Sequence, residues 1–209
     1  MTNLTRILLV GWLLQPAYVL SEFVVATGSR EPYSFSGDTI SALGITSCRA
    51  EPFPGSCSAH HAWMNASFIV FGILLAAGAV ALWRSLPRSR SANVAGAMWF
   101  ASGLGSIGVG LAPLDHSQGL HYAVALPIFV IRPLALALTA RLLTPHFPRL
   151  GSCTWAVAAL TLVGVVGFGL AGTEGALRGA TERLALWPAD VWFAFVAVAL
   201  LRARPLTPR

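Results

Sequence analysis

Lysine is absent from this chain, and carboxylates are few. All fourteen basic residues are arginine, against eight Asp and Glu in 209 residues. We read the missing lysine as the codon bias of a GC-rich genome rather than as mechanism. Charged residues make up only 11% of the chain, where a soluble domain carries about 25%. That shortfall excludes an ordinary water-covered surface, and lipid takes the place of water. The arginines form no basic patch, which excludes a nucleic-acid partner despite the net charge of +6. No Cys-x-x-Cys is present, so disulfide exchange is excluded, and no glycine-rich nucleotide motif occurs outside an apolar span. No repeat of 20–50 residues is visible, so a single domain covers residues 1–209.

What is present is apolar and long. A hydrocarbon core of about 30 Å needs about 20 apolar helical residues. Six stretches meet or approach this: residues 7–26, 61–83, 93–112, 121–143, 153–171 and 186–201. The predicted fold is therefore all-α: a polytopic six-transmembrane-helix bundle. The first span is expected to be retained rather than cleaved as a signal, because Glu22 interrupts it and an even number of spans suits the arginines. Nine arginines fall on one side (Arg6, Arg84, Arg88, Arg90, Arg141, Arg149, Arg202, Arg204 and Arg209) and four on the other (Arg30, Arg49, Arg178 and Arg183). The positive-inside rule then puts both termini in the cytoplasm of a bacterial plasma membrane. All eight acidic residues are expected at or near the opposite, extracytoplasmic face.

Loop 1, residues 27–60, is the one long connection. It holds Pro32, Pro52, Pro54, Gly28, Gly37 and Gly55, which oppose regular elements. Loops of this length are often functional lids. Cys48 and Cys57 lie in it on the oxidising side, so a disulfide is expected, pinning a lobe over the mouth of the bundle. Cys153, at the inner end of the fifth span, is expected to stay reduced.

Several motifs together resemble a known family. They are the run Asp38-Thr-Ile-Ser-Ala-Leu-Gly44, the pair Cys48 and Cys57, and His61-Ala-Trp-Met-Asn-Ala-Ser-Phe68. Gly108-Val-Gly-Leu-Ala-Pro-Leu-Asp115, then His121, then Glu182-Arg183-Leu184 complete the set. Nearly the whole chain resembles the bacterial membrane proteins grouped as domain of unknown function 998. The resemblance implies six membrane helices and no established activity. That family typically reads Ser-Asp-Leu-Gly after the first span, and here Ala42 stands in place of the carboxylate.

Polar residues gather at the helix ends of the acid-bearing face. Asp115 and His121 are candidate general acid and base, since a histidine titrates near neutral pH and a carboxylate tunes it. His61 and Glu182 complete the candidate catalytic group. Asn65 shares a helix face with His61 and either orients a substrate or bonds another helix. Arg183, Asp38 and Glu22 are candidate binding residues, with Arg183 expected to pair with Asp115 or Asp38. Glu182 and Arg183, being adjacent, are expected to find separate partners. Arg132 is the sharpest anomaly, placed about 16 Å deep by helical rise, where an arginine costs at least about 2.5–3.5 kcal/mol. No carboxylate is expected at its depth. Its expected solutions are Glu22, a carbonyl freed by Pro127 or Pro133 (that of Ala123 or Phe129), or an anionic ligand group. No metal or other cofactor is expected, although His60, His61, His116 and His121 with Asp38 or Asp115 offer donors suited to zinc.

Two functions follow. One is an intramembrane enzyme doing acid/base chemistry (isomerisation, cyclisation or hydrolysis) on a lipid, isoprenoid or other apolar substrate. The other is a non-enzymatic lipid-binding, transport or partner-assembly protein. The partner expected in either case is a membrane lipid or apolar small molecule.

Overall fold

A computed structural model describes residues 2–48, 57–172 and 175–203. The tip of the lobe, with Arg49, Glu51, Pro52, Pro54 and Gly55, lies outside the described residues, as do Glu174, Arg204 and Arg209. The described chain is helical, with one isolated β-bridge between Ser29 and Ser58. The helices are α1 (Asn3–Leu13), α2 (Pro16–Ala26), α3 (His61–Ser85), α4 (Arg90–Leu111), α5 (Gln118–Leu143), α6 (Pro148–Ala171) and α7 (Arg178–Arg202). A one-turn 3-10 helix, Ile40–Gly44, lies in loop 1. Taking α1 and α2 together, six helical segments are long and apolar enough to cross a membrane.

Local chemistry sets the helix ends. Thr2, Ser89 and Ser117 each accept a backbone N–H from the first turn of α1, α4 and α5. Pro16 and Pro148 open α2 and α6, where a missing N–H does no harm. Pro16 also explains the break in the first span. It cannot continue the hydrogen-bond ladder, so the chain turns at Leu14 and Gln15, and the Gln15 amide bonds the Phe71 carbonyl at 3.0 Å.

The last helix begins eight residues earlier than its apolar stretch implies, at Arg178 rather than residue 186. Its first turns carry Glu182 and Arg183, which burial in polar contacts makes tolerable. As a consequence Asp190 lies three turns inside the helix, not in its first turn.

The helices close into a ring. Each packs on its neighbour in sequence from α3 to α7, and α7 returns against α1 and α2, which also pack on α3. Small residues permit the closest approaches. A Cβ on Gly103 would lie 2.7 Å from the Gly72 carbonyl oxygen, and one on Gly164 would lie 2.2 Å from the Ala185 nitrogen.

Two apolar cores fill the ring at different depths. Towards the termini, Trp12, Trp99, Trp192 and Phe193 form an aromatic plug, with Trp12 and Phe193 centroids 4.6 Å apart and Trp99 and Trp192 stacked at 5.6 Å. The plug is dry yet satisfied. The three indoles donate to Leu75 O, Thr139 Oγ1 and Thr154 Oγ1. Towards loop 1, Tyr18, Val25, Ile40, Leu43, Met64, Phe68, Val109 and Ile128 form the second core. Two of these residues, Ile40 and Leu43, come from loop 1 itself, which therefore enters the mouth of the ring.

Candidate functional site

Loop 1 is held by side chains from α3, α5, α7 and the turn between α4 and α5, and these are largely the candidate catalytic and binding residues. Its neck is closed by Ala59 N–H to Gly28 O at 2.8 Å and Arg30 N–H to Cys57 O at 3.1 Å. Cys48 and Cys57 form the expected disulfide. Glu182 Oε2 accepts the Ile40 N–H at 2.6 Å. Asn65 donates to Gly44 O at 2.8 Å. Asp115 accepts from the backbone and hydroxyls of both Thr46 and Ser47. Burial pushes the Asp115 carboxyl up, but these hydrogen bonds outweigh it and hold its pKa below the ordinary value.

Arg183 is the centre of this clamp. Its Nε meets Glu22 Oε2 at 3.2 Å, and its Nη1 donates to the carbonyls of Phe35 (2.8 Å), Asp38 (2.8 Å) and Gly179 (3.0 Å). A short hydrogen bond joins Nη2 to the Tyr33 hydroxyl. The guanidinium also lies over the rings of Tyr33, Phe35 and Trp187. Burial pushes the Tyr33 phenol up, against the opposing pull of Arg183. Glu22, fully buried, is satisfied by Arg183 and by the Trp187 indole at 2.7 Å. The expected pairing of Arg183 with the carboxylate of Asp115 or Asp38 is not found. Arg183 takes Asp38 by its backbone, and the Asp38 carboxylate instead accepts the Ser34 N–H. Loop carbonyls of Ser36 and Gly37 also accept the free N–H groups of Ala180 and Gly179, capping α7.

Below the cap lies a polar chamber. Arg132 Nη1 bonds Asp190 Oδ1 at 3.0 Å, and its Nε donates to Ser102 Oγ at 3.2 Å. Both members of the pair are almost wholly buried, at 6% and 2% exposure. This corrects three expectations. A carboxylate does sit at the depth of Arg132, because α7 starts early. Glu22 is not its partner, since Arg183 holds it. The carbonyls of Phe129 and Ala123 are not its acceptors, since Ser102 and Asp190 supply better ones. Asp190 Oδ2 is left buried without a partner.

The chamber is lined by the polar groups of Gln15, Tyr18, Ser41, Arg132, Glu182 and Asp190, on walls of Phe68, Phe71, Val109, Ile128 and Leu186. It is closed to about 40 Å³, room for a few water molecules. Loop 1 closes one end through Ile40 and Ser41.

His121 lies behind the chamber wall and meets it through Ser41. Its Nδ1 lies 2.8 Å from Ala112 O and its Nε2 lies 3.0 Å from Ser41 Oγ. It makes no hydrogen bond with Asp115 among the described residues. His61 lies one turn above Asn65, and His61 Nδ1 and Asn65 Oδ1 are buried without partners. No three His, Cys, Asp or Glu side chains converge as metal ligands among the described residues. Cys153 is free and exposed on α6.

Ser41, Gln15 and Tyr33 were not singled out from the sequence. Gln15-Pro16 was legible, as an amide and a helix breaker together inside an apolar span. Ser41 stands within the run that carries the family resemblance. Ser102 reads only as a small packing residue, at four-residue spacing with Ser106 and Gly110. Nothing in the sequence marks Tyr33 beyond its polarity.

The molecule is thus a helical-bundle membrane protein with an intramembrane polar chamber under a clamped loop. The chain belongs to the family described as protein of unknown function DUF998, which it matches over residues 13–199. It matches no curated protein and no solved structure.

Proposed function

We propose that this protein binds the polar head of an amphiphilic molecule, a lipid or other apolar compound, in the chamber beneath loop 1, and that the chamber widens to admit it when loop 1 lifts. The observation that carries the reading is Asp190 Oδ2. It is a buried carboxylate oxygen with no partner, on a residue that lines a chamber of mixed polar and apolar walls. Unsatisfied buried acceptors are rare and call for a water, an ion or a ligand donor. A ligand head with a donor group would bond Asp190 Oδ2, while Arg132 and Gln15 take its acceptors. Loop 1 acts as the cap, and its clamps (Glu182, Arg183, Asp38, Asn65, Asp115 and Glu22) set when it opens. His61 sits at the rim of that cap.

Sidedness follows the arginines and the disulfide. Nine arginines against four support cytoplasmic termini, and a disulfide in loop 1 is supported by an oxidising, extracytoplasmic compartment of the bacterial plasma membrane. The aromatic plug favours a site open to one side over a through-going transport path.

The test is the molecule that co-purifies. Protein extracted with its native lipids is analysed by mass spectrometry beside Ala125→Phe, which fills the chamber from α5. A molecule enriched in the wild type and depleted about tenfold or more in Ala125→Phe and in Asp190→Asn is expected, as for loss of a hydrogen bond to a charged group. Equal recovery from wild type and a folded Ala125→Phe protein would sink the reading.

A further inference from the structure

The chamber contains a nucleophile–base arrangement that the binding reading leaves unused. Ala112 O is a carbonyl and can only accept, so His121 Nδ1 carries the proton of that hydrogen bond. In the neutral ring Nε2 is then left with its lone pair, facing Ser41 Oγ at 3.0 Å. Ser41 donates and His121 accepts. This is the tautomer a general base needs, fixed by an orienting acceptor on the far side of the ring. Both anchors are rigid: Ala112 closes α4, and His121 lies in the first turn of α5. Ser41 lies in the 3-10 turn and lines the chamber along with Arg132 and Glu182.

We propose that Ser41 is an acyl-accepting nucleophile, His121 its general base and the Ala112 carbonyl the group that positions the ring. The substrate class is an ester of an apolar acid or alcohol. This rests on the chamber being the ligand site. Ser41 Oγ forms a bond to the ester carbonyl carbon as its proton passes to His121 Nε2. The carbon–oxygen bond to the alcohol breaks, and the leaving alkoxide takes the proton from Nε2. Water, deprotonated by the same nitrogen, then bonds the acyl carbon; the bond from that carbon to Ser41 Oγ breaks, Nε2 returns the proton to Oγ, and the carboxylic acid is released. No oxidant, metal or second substrate beyond water is required.

The experiment exposes the full-length protein in detergent micelles to an alkyl fluorophosphonate, with the Cys48–Cys57 disulfide intact and again after reduction. Labelled peptides are located by mass spectrometry. A medium-chain p-nitrophenyl ester is followed in parallel. Phosphonylation at Ser41 is expected, with ester turnover in the wild type. Ser41→Ala, which removes one hydroxyl, should lose both. His121→Gln, shown folded by its thermal transition, should lower the labelling rate about 100-fold or more, the usual scale of general-base assistance. Its residual rate should lose the wild-type rise with pH. Absence of label at Ser41 under both redox conditions, or label confined to another serine, overturns the proposal. If Ser41 is unreactive while an amphiphile still occupies the chamber, the nucleophile falls and the binding reading stands. If neither is seen, both fall.

Discussion

Replacing Arg183 with methionine removes the α7 side chain that bonds both loop 1 and α2. The structure sets the size of the effect. Arg183 is 4% exposed and Glu22 is 0% exposed, so Arg183→Met strands a buried carboxylate. Breaking a buried pair from one side costs about 3–5 kcal/mol. The Phe35 and Asp38 carbonyls also lose their donor, and since loop 1 lies near water each adds only the lower end of about 1–3 kcal/mol. The sum is about 5–7 kcal/mol, or a fall of about 10–28 °C in Tm at this chain length. Circular dichroism in detergent micelles reads the transition, and limited proteolysis reads the cap. Glu22→Gln with Arg183→Met separates the two parts. Glutamine removes the stranded charge and can still accept from Trp187, so the double variant should recover about 2 kcal/mol or more over Arg183→Met alone. Its loop should stay protease-sensitive, because the carbonyls remain without their arginine. An Arg183→Met protein with an unchanged Tm, or a double variant less stable than the single, would refute this account of the clamp.

Two further outcomes follow from the same cap. Cys48→Ser, which opens a loop of sequence separation 9, should cost about 2.6 kcal/mol by chain entropy and raise the proteolysis rate of loop 1, with the bundle transition otherwise intact. The Asp115 anchor should be pH-dependent. Its folded pKa lies below the ordinary 3.8, so its stabilisation is complete well above that value and is lost as pH falls through the lower folded value. Hydrogen-exchange protection of the Thr46 and Ser47 amides should therefore fall below about pH 4 in the wild type. In Asp115→Asn it should already be low at neutral pH. Flat wild-type protection through that window would contradict it.

The six spans were legible in the sequence because lipid imposes a length and an apolar composition on each of them. The disulfide was legible for a similar reason, since loop and compartment leave few alternatives. The start of α7 was not. Arg178, Glu182 and Arg183 read as a polar loop until partners are known, and those partners lie on α6, α2 and loop 1. The same error hid the partner of Arg132, because an early start to α7 is what carries Asp190 to that depth. The candidate residues gather around loop 1, with contacts other than those expected. Asp115, Glu182 and Asn65 hold backbone, a choice that depends on the path of loop 1 and that no local spacing encodes. The contact of His121 with Ser41 depends on the same path.

That path has a consequence for what substitutions the protein tolerates. Glu182, Asn65 and Arg183 grip Ile40 N–H, Gly44 O, Phe35 O and Asp38 O, which are main-chain atoms common to almost every residue. At Ile40 and Asp38 the grip does not read the side chain. Loop 1 can therefore exchange the groups it presents to the chamber, Ser41 among them, without surrendering its seat. A scan of the loop should separate positions where only backbone shape matters, such as Gly44 with Asn65 Oδ1 2.4 Å from its missing Cβ, from positions free to retune what the chamber accepts. The bundle works as a fixed socket, and loop 1 as a replaceable insert.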